Sequence, residues 1–185
     1  MANRTGTYIA FDGLGQTDPT KSDFKYYSSI QGWSAGKHID FKFVDSHAKT
    51  YAVRDTSSQA TLEQRIRERL AASKNCLVIL SDQTRKSGSM LSYEIEKAVD
   101  DYGLPLIVAY PGYNAILQPE ELSYRWPNAL TQRIRNRSVK AIHIPFKKNP
   151  ILNAIGQFTV NSNNLSIPLQ FYSRQAHIEF GCITR

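Results

Sequence analysis

The chain has 185 residues, 41% hydrophobic and 21% charged, which suits one domain with its own core and excludes a disordered or collagen-like chain. The 23 Lys and Arg against 16 Asp and Glu give a net charge of +7 and a pI of about 9.4, favouring anionic partners. The two cysteines, Cys76 and Cys182, and four scattered histidines (His38, His47, His143, His177) form no metal-type cluster. Two cysteines permit one bridge, but Cys76 sits in the apolar run Cys76 to Leu80, and a reduced chain is the simpler reading. Met1 to Thr7 has no apolar signal segment, and no run approaches the roughly 18 apolar residues of a membrane span, so the expectation is a cytoplasmic protein.

In chain order, Tyr8 to Phe11 predicts a first strand ending at Asp12-Gly13, followed by a loop with Gly15, Asp18 and Pro19. Asp23 predicts the cap of a helix through Phe24, Tyr27 and Ile30 that stops near Gly32 or Gly36. Ile39 to Val44 predicts a second strand ending at Asp45-Ser46, before a polar loop from His47 to Ala60. Leu62, Ile66 and Leu70 recur every fourth residue and predict a helix over Thr61 to Ser73. Cys76 to Leu80 is a strand buried on both faces, ending at Ser81-Asp82. A helix follows from Ser89 to Tyr102, with apolar positions Leu91, Ile95, Ala98 and Val99, and Gly103 and Pro105 end it. Leu104 to Tyr110 is a fourth strand, Pro119 to Tyr124 and Asn128 to Arg137 are short helices, and Val139 to Pro145 is a fifth strand.

Apolar strands alternating with helices predict an α/β fold: a flavodoxin-like, five-stranded parallel sheet with helices on both faces and strand order 2-1-3-4-5. Residues 1–148 form this domain. In the remaining segment, 149–185, Phe158 to Val160, Leu165 to Tyr172 and His177 to Ile183 read as strands around the turn-rich Asn161 to Asn164. That predicts a C-terminal β-hairpin extension packed on the same domain.

Ligands of such a sheet bind beyond the carboxyl ends of the strands, where Phe11-Asp12, Asp45-Ser46, Ser81-Asp82 and Tyr110 fall. The stretch Leu80 to Ala98 leads from a buried strand through a serine-rich loop into a helix carrying Glu94 and Glu96. Helical spacing places Glu94 on the border of the Leu91/Ile95/Ala98 face, in line with Met90 and, one turn back, Ser87. Glu96 points to solvent. A single semi-buried carboxylate suits cleavage of an N-glycosidic bond to nicotinamide: the leaving group is already cationic, and a negative charge stabilises the developing oxocarbenium ion. Taken alone, a glutamate early in a helix more often serves the helix dipole than catalysis.

The chain resembles TIR domains, in particular the TIR-like branch of bacterial Thoeris anti-phage systems. The resemblance is carried by Tyr8 to Asp12, Val44 to Ser46, Leu62 to Arg67, Cys76 to Ser81, Thr84, and Ser87 to Ile95, and it covers about residues 5 to 146. Met90 and Leu91 replace the Trp and Cys usual in the last piece. The resemblance implies that Glu94 is catalytic, holding the nicotinamide-ribose hydroxyls of NAD. Phe11, Asp12, Asp45, Ser46, Ser81, Ser87, Met90 and Tyr93 would then contact substrate. It implies no cofactor or metal beyond NAD as substrate, and a cyclic ADP-ribose-type product that signals to an NAD-consuming effector. Homo-oligomers are left open, and no membrane partner is implied.

Other constellations are weaker. Asp12, Asp45 and Asp82 could form an acidic metal-binding rim, but the acidic pair of receiver domains is broken by Gly13. Gly13-Leu14-Gly15 lacks the lysine of a phosphate loop. His47 reads as a solvated loop residue, and Ser81 with His143 or His177 forms no nucleophile elbow. Two alternative functions remain: a non-catalytic interaction module using the loop His47 to Ala60, and nucleic-acid binding by the basic segment Arg133 to Lys148, against which solvated helix arginines are the simpler account.

Overall fold

The computed structural model describes residues 4–16, 18, 20, 22–35, 43–44 and 59–184. Asp45, Ser46 and nearly all of the loop from His47 to Ala60 lie outside the described residues.

Among the described residues six parallel strands form one sheet in the order β2-β1-β3-β4-β5-β6. They are β1 (Gly6–Ala10), β2 (Phe43–Val44), β3 (Ser73–Ile79), β4 (Leu106–Tyr110), β5 (Ala141–Pro145) and β6 (Gln170–Phe171). The first five keep the doubly wound order expected from the sequence, and β6 adds two residues beyond β5. The helices are α1 (Phe24–Ser34), α2 (Gln59–Ala71), α3 (Met90–Asp100), α4 (Asn128–Arg135), α5 (Lys148–Gln157) and α6 (Arg174–Glu179), with a 3-10 turn at Pro119–Arg125.

Strand alternation divides the core into two layers. Tyr8, Ala10, Cys76, Val78, Leu106 and Val108 face α2, α3 and α4, meeting Ile66, Leu70, Leu91, Ile95 and Leu130. Ile9, Phe11, Leu77, Ile79, Ile107 and Ile142 face α1 and α5, meeting Tyr27, Ile30, Ile151 and Ile155. With helices on both faces the central stretches of these strands, such as Cys76 to Ile79 and Leu106 to Ala109, are continuous apolar runs. Gly103 adopts φ 60°, and the amides of Gly103 and Leu104 return to the carbonyls of Val99 and Ala98, closing α3 as its glycine implies.

The C-terminal segment departs from expectation. No hairpin forms there. Residues 148–157 are helical, Phe158 is the residue following that helix, and His177 lies within α6, not in a strand. Only Gln170–Phe171 of the expected Leu165 to Tyr172 strand pairs, and it runs parallel to β5. The cause is visible in the pattern Ile151, Ala154, Ile155, Phe158, which is helical spacing against the sheet; Pro150 is tolerated because it falls in the first turn. Asp23 occupies the position before α1 but its carboxylate makes no capping bond; the Ser22 hydroxyl accepts from the Phe24 amide instead.

Candidate active site

Two polar clusters sit where β1 and β3 lie side by side. The first is inside the α2–α3 layer. Glu94, on α3, is 4% exposed, more deeply buried than the helical period alone suggests, because α2 packs over that border of α3. Tyr8, in the middle of β1 and fully buried, donates from its hydroxyl to Glu94 Oε1 at 2.5 Å. Glu94 Oε2 is buried with no hydrogen-bond partner among the described residues. Burial pushes the Glu94 carboxyl up to about 8; the Tyr8 bond and the Arg69 charge oppose this, and the charge of Asp12 adds to it. Burial, with Glu94 nearby, also pushes the Cys76 thiol well up, so that cysteine is no nucleophile. The hydroxyls of Ser89 and Ser92 are likewise buried without partners among the described residues.

The second cluster closes the carboxyl rim. Asp12, 1% exposed, accepts from the Leu14 amide, the Arg85 amide, and Arg85 Nε and Nη2. Burial alone would raise its pKa, but these bonds hold it below the ordinary carboxylate value. Asp23, 2% exposed, accepts from Thr84 Oγ1 at 3.4 Å, and Thr84 Oγ1 in turn accepts from the Ser81 amide. Burial raises Asp23 to about 6, opposed by its hydrogen bond with Ser81 and helped by the charge of Asp12. The loop after β3 is therefore pinned to both ends of the β1–α1 connection.

The other sequence-derived residues are distributed differently. Ser81 is buried in the second cluster. Phe11 faces the opposite layer, packed against the rings of Phe24 and Tyr27. Ser87 is exposed on the loop before α3, and Met90 is half-buried against the α2–α3–α4 core. Tyr93 is half-buried against the same core, accepting from Arg67 Nε at 2.8 Å, with the Arg67 and Lys97 cations over its ring. Glu96 is exposed, as its helical position implies, and 3.9 Å from Arg133.

The sequence left Tyr8, Asp23 and Arg85 out of the candidate set. A tyrosine in an otherwise aliphatic buried strand was the available signal, since a buried hydroxyl needs a partner. For Arg85 there was none, because its contact with Asp12 spans 73 residues.

Among the described residues no group of three or more His, Cys, Asp or Glu is arranged to hold a metal. His143 is fully buried and committed elsewhere, between the Tyr110 hydroxyl and the Pro168 carbonyl. Two surface clefts open beyond β4, one lined by Tyr113, Ile116 and Leu122, the other by Asn114, Arg174 and Cys182; Glu94 and Asp12 line neither. No helix among the described residues is long and apolar enough to cross a membrane.

Residues 8–116 match the family model described as "Thoeris protein ThsB, TIR-like domain". The match begins at Tyr8, spans both polar clusters and ends beyond β4. A parallel sheet in the order 2-1-3-4-5, a buried glutamate on α3, and a family match over more than half its length together place the chain in the ThsB TIR-like domain family of the Thoeris defence systems.

Proposed function

We propose that this domain cleaves NAD at the bond between nicotinamide and ribose, with Glu94 as the catalytic residue, and yields a cyclic ADP-ribose-type signalling nucleotide in anti-phage defence. The observation that carries this is a carboxylate enclosed beside β1 with one oxygen held by Tyr8 and the other unpartnered among the described residues. An unsatisfied buried polar atom is costly, and sites that tolerate one commonly use it.

The chemistry needs little more. As the C1′–N bond breaks, its electron pair leaves with neutral nicotinamide and the ribose becomes an oxocarbenium ion. A carboxylate in a low-dielectric site stabilises that charge and accepts hydrogen bonds from ribose hydroxyls. In the unliganded chain Glu94 holds a proton at neutral pH, since burial lifts it to about 8. The positive nicotinamide ring of the substrate favours the ionised form, so binding and ionisation are coupled. Water attack on the anomeric carbon gives ADP-ribose; attack by a hydroxyl or the adenine of the same molecule gives a cyclic product. Ser81 and Asp12 act here by fixing the loop that leads to α3, and Ser87, Met90 and Tyr93 remain candidates for substrate contact.

Incubation of the purified chain, and of lysate from phage-infected cells expressing it, with NAD tests this by chromatography. Nicotinamide release that Glu94→Gln abolishes is the expected result. No release under either condition would leave the domain as an interaction module.

A further inference from the structure

We infer that Tyr8 is the positioning residue of Glu94: its hydroxyl fixes Oε1, and Oε2 is thereby the oxygen left for a hydroxyl of the substrate. This rests on the nicotinamide-cleavage reading of the same site.

The two side chains are 86 positions apart and meet only because β1 lies beneath α3. Tyr8 is fully buried among Ala10, Cys76 and Leu70, a setting in which phenylalanine would pack as well without bringing a polar atom inside. Its phenol is directed at one carboxylate oxygen, Oε1, at 2.5 Å. Among the described residues the groups facing Glu94 are Tyr8 from β1, Cys76 from β3, Arg69 from α2 and Asp12 beyond β1. Of these, Tyr8 supplies the hydrogen bond that favours the carboxylate, Arg69 favours it by charge, and Asp12 opposes it. A carboxylate anchored through one oxygen cannot rotate freely, so the orientation of Oε2 is set before substrate arrives. That is preorganisation of the kind that lowers a barrier without cost at the moment of reaction.

A purely structural tyrosine and a positioning tyrosine differ in what they do to the ionisation of Glu94. The test is carbon-13 NMR of the full chain labelled at glutamate carboxyls, with the Glu94 resonance identified by its loss in Glu94→Gln. In Tyr8→Phe the midpoint of that resonance moves upward by about one pH unit or more, as loss of a hydrogen bond to a buried charge requires. In parallel, kcat/KM for NAD at neutral pH falls by about tenfold and recovers as pH rises, with kcat affected more than KM. Should Tyr8→Phe not fold, a fluorinated tyrosine placed at position 8 keeps the shape, strengthens the donor and moves the midpoint downward.

A midpoint unmoved by either change, with nicotinamide still released, overturns the role of Tyr8 and leaves the cleavage reading intact. A moved midpoint in a chain that releases no nicotinamide overturns the cleavage reading, and with it the substrate role of Oε2.

Discussion

The guanidinium of Arg85 grips both carboxylate oxygens of Asp12, Nε to Oδ2 at 2.9 Å and Nη2 to Oδ1 at 2.7 Å. This pair ties the loop after β3 to the end of β1. Arg85 is 43% exposed while Asp12 is 1% exposed, so the two ends of the pair differ in what their loss costs. Arg85→Ala leaves Asp12 its two backbone amides and is expected to cost about 1 kcal/mol, water screening the rest. Asp12→Ala strands those amides and the guanidinium together and is expected to cost about 2–3 kcal/mol. Urea unfolding of the two variants checks the order.

Glu94 gives a linkage of unusual sign. Burial raises its pKa from an ordinary 4.5 to about 8. Between those values the unfolded chain has lost a proton that the folded chain keeps. Stability contributed by this group is therefore full below about pH 4.5 and is lost as pH rises towards about 8. Glu94→Gln removes the penalty and is expected to raise the melting temperature at neutral pH by several degrees, the gain vanishing in acid. Scanning calorimetry across pH measures it, and no gain at neutral pH would show that Glu94 is ionised in the free chain.

His143 acts in the opposite direction. Trp126 Nε1 donates to the Tyr110 hydroxyl at 2.8 Å, Tyr110 donates to His143 Nδ1 at 2.7 Å, and His143 Nε2 donates to the Pro168 carbonyl at 3.0 Å. This chain of donors requires a neutral ring. Burial lowers the imidazole to about 4, the Pro168 bond opposing only in part. Below its ordinary 6.5 the unfolded state binds a proton that the folded state refuses, so stability falls as pH drops from about 6.5 to about 4. His143→Phe is expected to abolish that slope while destabilising the domain by about 2–3 kcal/mol at neutral pH, since Tyr110 and Pro168 lose their partner. Denaturant titrations at several pH values separate the two effects.

Arg133 belongs to the core, not to a basic surface. It is 8% exposed, bonds bidentately to Asp100 and donates from Nη1 to the Ala129 carbonyl at 2.9 Å. Arg133→Ala is expected to cost about 1–2 kcal/mol, whereas Arg135→Ala, on the exposed side of α4, is expected to fall within about 0.5 kcal/mol of the parent chain. Equal effects in urea unfolding would return Arg133 to the solvated cluster its sequence neighbourhood suggests.

The sheet was readable in the sequence because burial on both faces leaves strands such as Cys76 to Leu80 and Leu106 to Tyr110 wholly apolar, a pattern that depends on no distant partner. The C-terminal segment misled because the apolar and aromatic runs Phe158 to Val160 and Leu165 to Tyr172 around the turn-rich Asn161 to Asn164 resemble strands, although Ile151, Ala154 and Ile155 keep helical spacing. β6 is two residues long, and nothing local to Gln170 and Phe171 specifies a parallel partner 28 residues earlier, at Ile142 and His143. In the site, the period of α3 placed Glu94 on the border of the apolar face, its burial beneath α2 being a matter of packing, and strand alternation could have separated Phe11 from it. The partners Tyr8 and Arg85 were not legible by the same means, because each contact is made by the packing of distant elements.

The most direct test of the account is the rate of nicotinamide release from NAD by the wild-type chain and by Glu94→Gln, followed from about pH 5 to about pH 9. The account requires kcat/KM to rise with pH towards a plateau, through a midpoint near the value of about 8 that burial gives Glu94, and requires Glu94→Gln to be inactive throughout while remaining folded. Release by Glu94→Gln at the wild-type rate, or a wild-type rate indifferent to pH over that range, would contradict it.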